Sequence, residues 1–214
     1  MTTLVIADNH PVVRAGIRAM FSGAPDIQIV GEVENGYEAQ DLVAQLRPRI
    51  LTLDLKMPGP TPAAIGKWVS ANFPETAVLV FTAHDHDSYL ASLNDAGVMG
   101  ILSQEAPTEK LIDAIRRAAR GETLFDEPQL ERVQQWRKVA GEKWEALSNH
   151  QRQISQLLAQ GTSRGEVATR LKISKRALEF HIGNILERLK FKSLLEAVCW
   201  LHKNFPDDWD RTTG

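Results

Sequence analysis

From Leu4 to Gly121 the apolar residues follow two alternating periods. Continuous apolar runs at Leu4-Val5-Ile6-Ala7, Ile27–Val33, Ile50–Leu55, Ala77–Ala83 and Val98–Leu102 predict strands. Between them the spacing turns helical. Val13, Ile17, Met20 and Phe21 recur at i, i+4, i+7 and i+8, and Ala39, Leu42, Val43 and Leu46 line one face of Gly36–Leu46. Further helices are predicted over Ile65–Phe73, Ser88–Ala96 and Pro107–Arg120. Pro11 suits a first helical turn, and Gly97 and Gly121 suit helix ends. Pro58-Gly59-Pro60-Thr61-Pro62 predicts a loop, because three prolines cannot sustain regular pairing. Strands that are apolar throughout must be covered on both faces. The expected fold is therefore α/β, with a five-stranded parallel, doubly wound sheet.

The pattern then changes. Residues 123–144 predict a helical linker, with Trp136 and Trp144 near one face and Val133 and Ala140 between them. That face packs on a neighbouring domain or forms a dimer contact. Beyond it every segment is helical: Ser148–Gln160, Ser163–Leu171, Ser174–Leu189 and Ser193–Lys203. The expected organisation is an α/β domain over 1–122, the linker over 123–144, a small all-α four-helix domain over 145–204, and an acidic tail over 205–214.

Charge sharpens the division. The chain of 214 residues carries a net −2. Residues 1–126 hold 10 basic and 16 acidic side chains, whereas residues 148–203 hold 10 and 4. A basic, helical second domain beside an acidic first one points to nucleic acid as a partner of the second. No apolar run approaches the ~20 residues that span a bilayer. The N-terminus lacks a basic segment and meets Asp8 too early for a signal peptide. The single cysteine, Cys199, cannot form an internal disulfide. A cytoplasmic protein with no membrane partner is expected.

In a parallel α/β sheet, ligands bind at the carboxyl ends of the strands. Asp8, Asn9, Asp54 and Thr82 all fall there, and should converge on one polar pocket. Polar capping of strand ends is one reading. The other is a Mg2+ site, where one or two carboxylates with water and phosphate oxygens suffice. A cation there would let a phosphoryl group approach Asp54, and Thr82 could donate to a phosphoryl oxygen. His84 and His86 flank Asp85, a spacing that suits solvated loop side chains better than a metal grip. There is no glycine-rich phosphate loop and no nucleophile elbow, so neither an organic cofactor nor an enzyme is expected.

In the second domain, Ser163–Leu171 and Ser174–Leu189 are short helices joined by a tight turn, a helix-turn-helix. Leu178, Ile182, Ile185 and Leu189 form the buried stripe of the longer helix, with Ser174 as its N-cap. Left outside are Lys175, Arg176, Glu179, Phe180, Gly183, Asn184, Lys190 and, just beyond the helix, Lys192. Glu179 has two readings: it accepts from cytosine N4, or it repels phosphate.

Three motifs, Ala7-Asp8-Asn9-His10-Pro11, Leu53-Asp54-Leu55-Lys56-Met57-Pro58-Gly59 and Val80-Phe81-Thr82-Ala83-His84, resemble the receiver domain of two-component response regulators. Residues 145–203 resemble the LuxR-type DNA-binding domain, especially Ser174 through Leu189 and Glu196-Ala197-Val198. Together they have the layout of NarL/FixJ-type regulators. The resemblance implies transcription control through double-stranded DNA, a homodimer on paired half-sites, and phosphorylation of Asp54 by a histidine kinase. It implies a metal site at Asp8, Asn9, Asp54 and the Lys56 carbonyl, and a switch at Thr82, Ile101 and Gln104. The haloacid-dehalogenase alternative requires an acid where Lys56 stands.

Five positions depart from the family pattern, one being Glu179, where the family often has a basic or small polar residue on the DNA-facing surface. Asn9 replaces an acid and weakens Mg2+. Gln104 replaces a lysine whose charge-assisted bond contributes about 1.5–3 kcal/mol. Ile101 replaces an aromatic switch, and Gln151 replaces an acid of a structural ion pair. A phosphorylation-independent regulator, or a docking adaptor whose receiver dimerises or binds a partner, is the alternative.

Overall fold

The computed structural model describes residues 1–83 and 86–205. His84, Asp85 and the acidic stretch from Pro206 onward lie outside the described residues. The chain divides into two units, the first ending at Leu130 and the second beginning at Glu131, with His86–Ser88 grouped with the second.

The first unit has five strands, β1 (Thr2–Ala7), β2 (Ile27–Val33), β3 (Ile50–Leu53), β4 (Ala77–Thr82) and β5 (Gly100–Ser103). All neighbours are parallel, in the order β2-β1-β3-β4-β5. The connecting helices are α1 (Pro11–Phe21), α2 (Gly36–Leu46), α3 (Pro62–Asn72), α4 (Asp87–Asp95) and α5 (Thr108–Ala119). This is the doubly wound sheet that the apolar strands dictate. Leu4 through Ala7 are each at most 1% exposed, so both faces of β1 are covered. Leu4, Ile6, Ile50, Leu79 and Phe81 pack on one face with Ile17 and Phe21 of α1 and Leu111 and Ile115 of α5.

α3 starts earlier than its periodicity predicts. Pro62 sits in the first turn, and the Thr61 side chain caps it by accepting from the Ala64 N–H at 3.0 Å. Proline there costs nothing, because a first-turn N–H has no helical partner.

Each main helix of the second unit opens on a serine N-cap. They are α8 (Asn149–Ala159) on Ser148, α9 (Arg164–Arg170) on Ser163, α10 (Lys175–Leu189) on Ser174, and α11 (Leu194–Asn204) on Ser193. Gln151 and Glu166 complete capping boxes on the first two. Gln151 thus closes a cap where the family pattern has an ion pair. Ile154, Val167, Leu178, Ile182, Ile185, Leu189, Ala197 and Leu201 are buried.

The linker helix is not regular along its length. α6 (Glu127–Trp136) runs into a π-helical turn, Arg137–Gly141, and then α7 (Glu142–Glu145). Trp136 and Trp144 both pack on Phe205, with ring centroids 5.5 and 4.7 Å apart. The Trp136 indole N–H donates to the Asn204 carbonyl at 3.1 Å. Lys143 Nζ lies 4.7 Å from the Phe191 ring centre. Phe205, expected to head a tail, is only 5% exposed, because this aromatic cluster encloses it.

Truncation of that cluster should loosen the whole second unit. Trp144→Ala is expected to cost about 3–5 kcal/mol, read as faster amide exchange across α8–α11 in the full chain. Unchanged exchange would show that the clasp carries no stability.

Candidate functional site

The site in the first unit follows from register. Ala7 of β1 pairs with Leu53 of β3. The residues that follow, Asp8 and Asp54, therefore leave the sheet side by side. Thr82 ends β4, the next strand over. All three are buried, at 2%, 6% and 3% exposure.

Hydrogen bonds fix the carboxylates. The Asp54 N–H donates to the Ala7 carbonyl at 2.8 Å, and the Lys56 N–H donates to Asp54 Oδ2 at 3.3 Å. Asp8 Oδ1 accepts the His10 N–H at 2.7 Å and lies 3.0 Å from His10 Nδ1. Arg14 grips the Asp8 carbonyl at 2.6 Å. Burial pushes the Asp54 carboxyl above the ordinary carboxylate range, and the neighbouring Asp8 charge pushes the same way. The backbone N–H groups of Leu55 and Lys56, and His10, oppose the shift.

Among the described residues, Asp8 Oδ2 and Asn9 Oδ1 are buried without a hydrogen-bond partner. The unpartnered oxygen of Asp8, beside the second buried carboxylate of Asp54, suits a hard cation. One ligand-capable atom each from Asp8, His10 and Asp54 lie within 4.8 Å of one another. Residue type alone does not mark His10 as a ligand. Its signal was position alone, two residues past Asp8 at the same strand end.

The remaining sequence candidates do not all point into this pocket. The Gln104 N–H donates to the Thr82 carbonyl at 3.0 Å, and its side-chain Nε2 donates to the Phe81 carbonyl at 3.4 Å. That amide is engaged by the β4 backbone. Ile101 is half-buried on β5, opposite Val80. Lys56 is exposed, with its backbone N–H on Asp54.

The second unit presents a different surface. Lys175, Arg176, Glu179, Phe180 and Gly183 are exposed along α10. Asn184 is half-buried, and the Ser174 hydroxyl is occupied by the cap at 3.1 Å from the Ala177 nitrogen. Lys190 is the left-handed C-cap of α10, and Lys192 follows it. At 1.5 Å per residue these two lie about 20 Å from Lys175, so the basic residues form two clusters. Glu179 does not stand alone: Arg164 Nη1 donates to both its carboxylate oxygens, at 3.0 and 3.2 Å. No spacing rule links a residue of α9 to one of α10, so this pair was invisible in the sequence.

Removing the Asp54 charge should stabilise the protein. A carboxyl with a raised folded pKa costs stability above that pKa and nothing below its ordinary 3.8. In cation-free buffer, Asp54→Asn should melt higher than wild type at neutral pH, and the gain should vanish as pH falls below 3.8. An equal melting temperature at neutral pH would disprove the electrostatic reading.

Residues 4–116 match the response regulator receiver domain family, and residues 145–201 match the bacterial regulatory proteins, luxR family. Over 205 residues the chain is 30% identical to the nitrate/nitrite response regulator protein NarL of Escherichia coli K12, covering 94% of this chain and 95% of that protein. It is 31% identical over 204 residues to the oxygen regulatory protein NreC of Staphylococcus carnosus, with 91% and 94% covered. The fold is similar to that of RcsB from Salmonella enterica serovar Typhimurium, solved bound to a promoter with the phosphomimetic BeF3−. The TM-score is 0.61 at 22% identity, over 94% of this chain and 97% of that one.

Proposed function

Because the chain belongs to the response regulators that join a receiver domain to a luxR-family domain, DNA-binding transcriptional regulators rather than catalytic enzymes, we propose that it reads double-stranded DNA with α10 as a homodimer. The observation that carries this reading is the outward face of α10. Lys175 and Arg176 stand exposed in its first turn, where helix N–H groups and basic side chains together favour phosphate. Paired half-sites would give a dimer the affinity that one small domain lacks.

The receiver pocket sets the input. Asp8, Asp54 and Asn9 Oδ1 would hold a divalent cation such as Mg2+, with the Lys56 carbonyl as a further ligand. The unpartnered buried oxygens, Asp8 Oδ2 and Asn9 Oδ1, favour this reading. When bound, the cation offsets the negative charge between the two carboxylates and an incoming phosphoryl group. A histidine kinase would supply that group. An Asp54 oxygen forms the new P–O bond as the P–N bond of the donor histidine breaks, and the imidazole leaves as the electron pair's acceptor. The Thr82 hydroxyl would then donate to a phosphoryl oxygen. A second reading, a regulator that works without phosphate, is favoured by one observation: the Gln104 amide is already bonded to the Phe81 carbonyl.

Mass spectrometry separates the two. With Mg2+ and a small-molecule phosphodonor, wild type should gain one phosphoryl group and Asp54→Asn none. No gain in wild type would leave the phosphate-independent reading.

Binding of promoter fragments tests the reader. For about five phosphates, log affinity should fall against log salt with a slope near −4 to −5. Lys175→Ala with Arg176→Ala should weaken binding to all sequences and flatten the slope by about 2. An unchanged slope would overturn the assignment of α10 as the DNA-binding element.

A further inference from the structure

The outward face of α10 carries three features that the fold itself does not call for. Arg176, Glu179, Phe180 and Gly183 recur at i, i+3, i+4 and i+7, so they share one exposed stripe. Phe180 is 66% exposed, a large apolar side chain on a basic domain. Gly183 lies inside the helix, where glycine weakens it, yet an added Cβ would meet no atom within 4 Å. Packing gives no reason for glycine there. Close approach of another molecule to the helix backbone does.

Glu179 is the third feature. A free carboxylate on a phosphate-binding face would repel its ligand. Here Arg164 Nη1 bonds both oxygens, at 3.0 and 3.2 Å. The pair is half-exposed on both sides, at 54% and 53%. Arg164 cancels the charge and fixes the direction of the carboxylate. The two oxygens still offer acceptor sites, since a carboxylate can take about four hydrogen bonds. A carboxylate can only accept. In the major groove, cytosine presents the N4 amino donor alone, whereas adenine sets its donor beside the N7 acceptor. An apolar ring, for its part, finds the thymine methyl.

We propose that Glu179, positioned by Arg164, selects a cytosine through its N4 amino group, and that Phe180 beside it selects a thymine at a neighbouring base pair. The proposal rests on the DNA-binding reading above. Arg164 is a positioning residue, and Glu179 and Phe180 determine specificity. Gly183 leaves the helix free to seat deeply enough for both contacts.

The test is selection from a random-sequence duplex library with the full chain at moderate salt. Wild type should enrich a motif with a fixed cytosine next to a thymine. Glu179→Gln should change that cytosine to adenine, because an amide both donates and accepts. Phe180→Ala should lose the thymine preference alone. Arg164→Ala should relax discrimination at the cytosine by about tenfold and, by freeing the Glu179 charge, weaken binding to unrelated DNA as well, with the melting temperature unchanged. Arg164→Lys should recover part of it. An unaltered motif with Glu179→Gln would overturn the readout while leaving DNA binding intact. A uniform loss of affinity in Arg164→Ala, with base preference kept and the salt slope flattened, would make Arg164 a phosphate contact and overturn its positioning role. No motif enriched by wild type, with or without the phosphodonor, would overturn this readout, and no binding to any duplex at low salt would overturn the DNA-binding reading as well.

Discussion

The parallel pairing of β1 with β3 is the constraint on which the first unit depends. Both strands are apolar and covered on both faces, so no charged group can sit within them without a large desolvation cost. Chemistry is confined to the strand ends. Because Ala7 and Leu53 are partners, Asp8 and Asp54 emerge together. A shift of β3 by one residue would turn its apolar side chains to the other face and separate the two carboxylates. The same packing that stabilises the sheet therefore forces two like charges into one pocket.

That crowding gives the pocket its chemistry. Asp54 is desolvated and faces Asp8, and buried oxygens of Asp8 and Asn9 lack donors among the described residues. Such a site is poised to take positive charge. The lysine that would supply some of it from within the protein is replaced by Gln104, whose amide bonds the Phe81 carbonyl instead.

The second unit solves a different problem with local means. Four serines cap four helices, so each short helix has its first turn fixed before tertiary packing adds to it. The stripe Leu178, Ile182, Ile185 and Leu189 is buried, which turns Arg176, Glu179, Phe180 and Gly183 outward. Trp136 and Trp144 then join this unit through Phe205. The two linker tryptophans therefore belong to its aromatic core.

The chain's local pattern alone determined the five strands, the α/β class, the four serine-capped helices and the exposed residues of α10. Each is set by periodicity or by a cap that acts within a few residues. Asp8 and Asp54 were legible as a pair because strand ends in a parallel sheet share one edge. The tertiary structure decided what those residues touch. Glu179 meets Arg164 across the turn between two helices, Gln104 reaches the backbone of a neighbouring strand, and Trp144 reaches Phe205 from the far end of the unit. His10, by contrast, meets Asp8 through a local contact two residues along the chain. Contacts between separate elements depend on crossing geometry, which many distant side chains fix together, so no short stretch of sequence encodes them.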